Sequence, residues 1–400
     1  MIPQKWKKVR VADVCRLQNG NGFRPEQWAE KGYPIIRIQN LNGSKNFNYF
    51  DGTPDERWLV HPDQMLFAWA GTKGASFGPT IWKGEIGVLN QHIFKVHPHA
   101  GVDKDWLYLA LSYVTKRIES GAHGFKATLV HVKKSEIDEQ EIGLPPLLEQ
   151  RRIAVIMSSW DRAIETAEAL VKNAREQKRA LMHALLTGRT RLPGFSGAWV
   201  WQKFSDVFDR IRDKNDVGET NVLTISAQHG LISQIEYFNK VVASDDVRGY
   251  TLLRRGDFAY NKSYSDGYPF GAFKPLERYD QGIVSSLYIC FRLAGAEHDH
   301  DFMRHYFEAG LFNREVAAIA QEGARNHGLL NVSVVDFFDT SLHTPCRDEQ
   351  VAIAAVINDA EFNERMLAGQ RDALREEKAA LMQQLLTGKR RVRLAEREAA

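Results

Sequence analysis

The feature that most constrains this chain is an internal duplication with a period of 200 residues. Glu149-Gln150 opens a stretch that runs to Ala180-Leu181-Met182-His183-Ala184-Leu185-Leu186-Thr187-Gly188-Arg189. Glu349-Gln350 opens another that runs to Ala380-Leu381-Met382-Gln383-Gln384-Leu385-Leu386-Thr387-Gly388-Lys389. Ile153 and Ile353, Ala154 and Ala354, and Lys178 and Lys378 match in the same ungapped register. Repeats of one sequence adopt one local structure, so the architecture follows from what the repeated unit is. The blocks between them repeat more faintly, at a shift of 193. Trp6 pairs with Trp199, Ala12-Asp13-Val14 with Ser205-Asp206-Val207, and Gln64 to Ala68 with Asp257 to Asn261. Pro145 and Pro345 close each block just before its Glu-Gln pair. The order is globular block, helix, globular block, helix, a near two-fold plan.

The repeated stretches predict long helices. Met157, Trp160, Ile164, Ala167, Val171, Ala174, Lys178, Leu181 and Leu185 follow a 3-4-3-4 spacing, repeated by Ile357, Ala360, Glu364, Leu367, Arg371, Leu374, Lys378, Leu381 and Leu385. That is a heptad seam, the pattern of helices packed side by side. Neither Pro nor Gly interrupts Glu149 to Thr187, and Gly188 and Gly388 stand where a left-handed C-terminal cap is wanted. Thirty-nine residues give about 58 Å of helix. Two such helices in one chain most simply pack antiparallel. The charged seam residues Lys178, Glu364, Arg371 and Lys378 are expected to form register-setting ion pairs or to snorkel at the ends, the other reading being contact with a partner helix.

The blocks read as mixed α/β, with strands dominant, so the expected class is α+β: two mixed α/β domains joined by two long antiparallel coiled-coil helices. The expected division is residues 1–148 and 192–348 as globular domains, with 149–191 and 349–400 as helices, the latter ending in a basic tail. Strands are expected over Tyr33 to Ile38, Val222 to Ser226, Ile86 to Val96 and Gly282 to Leu293, a turn over Gln39 to Gly43, and helices over Lys104 to Glu119 and His300 to Gln321. No run of 18 apolar residues predicts a membrane span. No secretory leader is read at the N-terminus, and Cys15, Cys290 and Cys346, odd in number and far apart, suit a reducing cytoplasm.

Catalytic patterns are missing. There is no Asn-Pro-Pro-aromatic motif of an amino-methyltransferase. Gly71 to Gly78 matches neither a phosphate loop nor a dinucleotide fingerprint, and Gly388-Lys389 is followed by Arg390 rather than Ser or Thr. Pro54-Asp55 and Pro62-Asp63 lack a following Glu-X-Lys, and His97-Pro98-His99 lacks a third spaced metal ligand. No catalytic, cofactor or metal site is therefore expected on the chain. The net charge of +3 is uneven: +4 over residues 1–148, +4 over 149–191, −5 over 192–348 and zero beyond. A protein that grips DNA unaided usually carries a stronger basic excess; if this chain binds DNA, basic loops must do it locally or a partner must supply much of the backbone grip.

What remains is polar and basic chemistry in Gly-marked loops at equivalent places in both blocks. The first block offers Asn40, Asn42, Ser44, Lys45 and Asn46; Trp69, Thr72, Lys73 and Ser76; Asn90, Gln91 and His92; and His123, Phe125 and Lys126. The second offers Gln228 and His229; Tyr260, Asn261, Lys262, Ser263 and Tyr264; Ser285 and Ser286; and Arg325, Asn326 and His327. Asn and Gln bond bidentately to adenine, and Lys and Arg to guanine or phosphate. The positions match while the identities differ, as two readers of different sequences on one scaffold would.

This plan resembles the specificity subunits of type I restriction–modification systems. The resemblance rests on Pro34-Ile35-Ile36-Arg37-Ile38-Gln39-Asn40-Leu41, on Pro145-Pro146-Leu147-Leu148-Glu149-Gln150, and on helices closing in Leu-Leu-Thr-Gly, and it covers nearly the whole chain. The second block departs from it at Pro345-Cys346-Arg347-Asp348 and over Val222 to Leu231. The resemblance implies that each block is a target recognition domain reading one half of a bipartite double-stranded DNA site. It implies helices that set the spacer and dock two methyltransferase subunits, and restriction subunits that can join. S-adenosylmethionine and ATP would serve the partners rather than this chain. The alternatives are a coiled-coil adaptor whose heads bind proteins, a standalone enzyme, and a specificity subunit of a related defence system.

Overall fold

The computed structural model describes residues 3–121, 129–226, 229–240, 243, 246–264, 267–320 and 330–393. The chain divides into two compact units, Met1–Glu168 with Gly369–Ala400, and Ala169–Ala368. The repeated stretches form helices Leu147–Leu186 and Arg347–Leu386, each of 40 residues, starting two residues before the predicted Glu-Gln pairs. The division runs through both helices, so each unit holds the start of one and the end of the other. No helix among the described residues is long and apolar enough to cross a membrane.

The seam is present in both units. From Ser158 to Ala180 only Trp160, Ile164, Ala167, Val171, Ala174 and Lys178 leave the fully exposed surface, which is the 3-4 spacing of the sequence. In the first unit Lys378 pairs with Asp161 and Arg375 with Glu168. In the second, Arg175 and Lys178 both meet Glu364, at 2.8 and 2.7 Å. Within each unit, later residues of one helix meet earlier residues of the other, so the helices are antiparallel there. Three of the four charged seam positions thus make interhelical pairs as expected. Arg371 instead bonds its own neighbour Asp372.

The Glu-Gln motif closes each block onto the helices. In the first unit the buried Glu149 accepts both prongs of the Arg391 guanidinium, at 3.0 and 2.9 Å, and the Trp6 indole N–H at 2.9 Å. In the second, the buried Glu349 accepts Arg191 at 2.6 Å twice. Gln150 accepts the Asp103 N–H and donates to the Pro145 carbonyl; Gln350 does the same with Asp299 and Pro345. Each Gln thereby satisfies the backbone where the block's own helix begins, a place that otherwise leaves donors bare. Gly388 has φ +72°, and a Cβ there would lie 2.4 Å from Pro3 Cγ, so that turn is reserved for glycine.

The two blocks share a topology. In the first, four antiparallel strands run in the order Cys15–Asn19, Ile93–Pro98, Met65–Ala68, Gly78–Ile81. In the second the order is Phe208–Arg210, Ile289–Leu293, Phe258–Asn261, Ala272–Pro275. Each block also ties its first strand to its last, Lys7–Arg10 to Glu141–Leu144 and Val200–Lys203 to Ser341–Thr344. The fold class is therefore as expected. The cores differ in chemistry. The first is largely aliphatic around the fully buried Trp106, with Val11, Val14, Leu107, Leu111 and Ile153 beside Phe67, Phe77 and Phe94. The second is a phenylalanine stack in which Phe204 lies 4.7, 5.0 and 4.8 Å from Phe208, Phe291 and Phe337. Equal volumes filled by different residues keep a fold while erasing sequence likeness.

Four local expectations are corrected. Gln39 to Gly43 is not a plain turn, because Ile38–Leu41 winds one helical turn. The Ile86 to Val96 strand is two, Gly87–Leu89 and Ile93–Pro98, interrupted by Asn90-Gln91-His92, and Gly282 to Leu293 is likewise Gln281–Val284 and Ile289–Leu293, interrupted by Ser285-Ser286-Leu287-Tyr288. The helix from His300 ends at Glu308 and resumes over Asn313–Ile319, because Gly310 takes φ +71° and stops the first segment.

Removing either arginine leaves a buried carboxylate short of its cation, a loss of about 3 kcal/mol. Arg191→Met is expected to cost more than Arg391→Met, because Glu149 keeps the Trp6 N–H whereas the Trp199 indole nitrogen is buried without a partner among the described residues. Equilibrium urea unfolding of the two variants checks the order, and equal costs would contradict it.

Candidate nucleic-acid interface

In the first unit the polar loops group around Trp69. Its indole N–H donates to the Gln91 carbonyl at 3.1 Å, and its ring lies 5.1 Å from His92 and 4.9 Å from His131. The Asn90 N–H bonds the Ile36 carbonyl, which holds the Asn90 to His92 loop beside the strand Tyr33–Ile36. Gln91 is exposed, its amide 3.4 Å from the His92 ring, and His92 Nδ1 is buried without a partner among the described residues. The Thr72 to Phe77 turn is built by the Thr72 carbonyl, which accepts N–H groups from Ala75, Ser76 and Phe77. The Ser76 hydroxyl oxygen accepts the Thr72 N–H at 2.7 Å, and the Gly74 N–H goes to Glu119. Thr72 and Lys73 are left exposed, while Ser76 is committed to the turn.

Asn40 is a correction. It is buried, its side-chain oxygen accepts the Arg37 N–H, and its amide donates to the Ser44 and Asn46 carbonyls at 3.1 and 3.0 Å. With acceptor and donors used inside its own loop, it shapes that loop and has no edge left for a base. Asn42, Lys45 and Asn46 are presented to solvent by it, and Ser44 caps the Asn46 N–H.

The second unit repeats the pattern with other groups. Tyr260 is the second correction: it is fully buried, stacked 4.2 Å from Phe273, with its hydroxyl on the Phe270 carbonyl at 2.8 Å. Burial pushes its hydroxyl far above the ordinary tyrosine range. Asn261 accepts the Ser263 N–H, Lys262 is half-buried, and Tyr264 and Ser286 are exposed. The Ser285 hydroxyl accepts the Leu287 N–H, and its carbonyl the Tyr288 N–H, closing a tight turn. His229 is exposed, with its N–H on Ser226. His123, Phe125, Lys126, Gln228, Arg325, Asn326 and His327 lie outside the described residues.

Loop composition misses the strongest charge feature of this unit. Arg210, Arg212 and Lys214 alternate along one strand and its extension, all exposed, while Ile211 between them is buried. They line a cleft of about 280 Å³ with Lys262, Ser286, Leu287, Tyr288 and Cys290. Among the described residues Arg210, Arg212 and Lys262 pair with no acid, and Lys214 holds only the Gly249 carbonyl. Cations gathered without counter-ions in an overall acidic block are a local anion seat. The period-two positive charge of Arg-X-Arg-X-Lys is a readable signal, but it lies on a strand rather than in a glycine-marked loop.

Nucleophilic and metal chemistry finds little support among the described residues. Cys290 lines the cleft, but burial pushes its thiol up to about 12, and Cys15 behaves alike. Glu277, His300 and Asp301 bring ligand atoms within 4.8 Å of one another. Arg304 already sits 3.4 Å from Glu277 and 3.7 Å from Asp301, so a protein cation occupies the role a metal would take. A larger cleft in the first unit, about 600 Å³, is lined by Trp106, Tyr113, Arg117 and Leu386, and by none of the polar loop residues above.

Residues 3–173 match the family described as the type I restriction modification DNA specificity domain. The chain is 25% identical to the type I restriction enzyme EcoBI specificity subunit of Escherichia coli over 47% of its own length, which spans 40% of that relative. It is 22% identical to the MjaVIII specificity subunit of Methanocaldococcus jannaschii across 98% of this chain and 94% of that one. Among solved structures, the S subunit of a type I restriction–modification system from M. genitalium superposes with a TM-score of 0.52 at 13% identity, covering 96% of each chain. A chain from a structure on complex assembly and conformational transition of the type I system reaches 0.60 at 14%, covering 96% of this chain and 98% of that one. These likenesses bear on the fold.

If Tyr260 is a core residue, Tyr260→Phe should cost about 1 kcal/mol of stability for the missing hydrogen bond. DNA affinity measured by fluorescence anisotropy should stay unchanged, and a loss of site preference would return Tyr260 to the interface.

Proposed function

We propose that the chain is a specificity subunit of a type I restriction–modification system, the sequence-reading, non-catalytic part of such an assembly. Residues 1–148 and 192–348 are two recognition domains, each reading one half of a bipartite double-stranded site. The carrying observation is that two blocks of matching strand order present different side chains, the first in its loops and the second mainly on a strand and its extension. The first offers Gln91, Lys73 and Lys45, the second Arg210, Arg212, Lys214 and Lys262. One scaffold with two chemistries suits two unlike half-sites. Amide and guanidinium edges pair bidentately with adenine and guanine, while lysines and arginines on strands hold phosphates.

The long helices set the length of the unread spacer and dock two methyltransferase subunits, with ATP-driven restriction subunits as a further partner class. S-adenosylmethionine and ATP belong to those partners, in the cytoplasm where the DNA lies. This division of labour agrees with the modest charge, since partners that clamp the duplex relieve this chain of most backbone contacts.

Arg212→Ala and Lys214→Ala are expected to weaken specific and random DNA alike. Removing one phosphate-binding cation should make the dependence of log affinity on log salt shallower by about 0.9. A weakening confined to the specific site would make them base readers instead. Inserting one heptad into either long helix should change the spacer and keep both half-sites, as read by mapping methylated bases; altered half-sites with an unchanged spacer would refute the ruler. Exchanging residues 1–148 for another such block should change one half-site only.

A further inference from the structure

The second unit's cleft is lined by the cations Arg210, Arg212, Lys214 and Lys262 and by aliphatic side chains, Leu287 among them. Leu287 is 60% exposed there, on the loop between the strands Gln281–Val284 and Ile289–Leu293. Its position is not left to a slack loop. The Ser285 hydroxyl takes the Leu287 N–H at 3.3 Å and the Ser285 carbonyl takes the Tyr288 N–H at 3.0 Å. Tyr288 packs against the small core of Leu223, Leu253 and Val284 and anchors the turn from below. The corresponding loop of the first unit is Asn90-Gln91-His92, polar throughout, with Gln91 in the exposed place.

An exposed aliphatic side chain lining one cleft with Arg210, Arg212 and Lys262 suits an apolar group on a partner that is otherwise anionic. Duplex DNA has one in the major groove: the 5-methyl of thymine. We infer that Leu287 is a specificity-determining residue that contacts a thymine methyl in the half-site read by the second unit, while the cations around it hold the flanking phosphates. This rests on the DNA-reading function above and goes further, because it assigns the two units different modes. The first reads by hydrogen bonds from Gln91, the second by methyl contact.

The test uses the full chain, assembled with its methyltransferase, and the bipartite site found by methylation mapping. Duplexes carry deoxyuridine for every thymine in the second unit's half-site, on either strand, which removes methyls and leaves each base pair's hydrogen bonds in place. Burying one methyl corresponds to about a fourfold change in affinity. Wild type should bind the thymine duplex about fourfold tighter than the deoxyuridine duplex. Leu287→Ala should bind the thymine duplex about fourfold weaker than wild type and lose the distinction. Leu287→Met, which keeps an aliphatic contact, should retain most of it and guards against a folding artefact. Equal wild-type affinity for both duplexes, an undiminished distinction in Leu287→Ala, or a half-site without thymine would overturn the inference. Failure of wild type to prefer its site over random DNA would instead overturn the DNA-reading function itself.

Discussion

Everything in this fold depends on two buried carboxylates finding their arginines. Glu149 and Glu349 sit at the starts of the long helices, nearly without solvent, and each is met by both prongs of a guanidinium from Arg391 or Arg191. An ion pair of this kind contributes less to stability than to uniqueness, since a carboxylate left alone there is far costlier than the pair is favourable. The partners stand 242 and 158 residues apart. Correct pairing therefore demands that the end of one helix lie beside the start of the other, which is the antiparallel arrangement seen within each unit.

With the helices so fixed, the blocks are each attached to them through the same few residues. Their strand order is the same, yet one core is largely aliphatic around a tryptophan and the other a stack of phenylalanines. The residues that attach a block to the helices, Glu-Gln at one end and Leu-Leu-Thr-Gly-X-X-Arg at the other, lie in the repeated stretches. Selection on loops and selection on attachment thus act on separate segments.

The helices were legible because heptad spacing and the absence of Pro, and in the first helix of Gly, are direct consequences of helix geometry, and the seam residues proved to be buried or half-buried. The Glu-Gln repeat was visible, but its meaning was not, since a counter-ion two hundred residues away leaves no local pattern. At the interface, composition in loops predicted exposure well for Lys45, Lys73, Gln91 and Tyr264. It failed for Asn40 and Tyr260, whose polar atoms serve their own backbone. A polar residue near a turn has two uses, shaping it or projecting from it, and sequence alone does not separate them. Arg210, Arg212 and Lys214 were missed for the opposite reason, being exposed cations carried on a strand and its extension.

The separation between Glu149 and Arg391 also orders events during synthesis. On the ribosome the first block emerges early, but its helix start must wait for 242 further residues before the arginine that neutralises it exists. At about 5–20 residues per second that delay is roughly 12–50 seconds. The second unit, whose pair spans 158 residues and lies wholly inside that interval, can be completed first. The first block is therefore locked to its helix start after the second, although it is made before it.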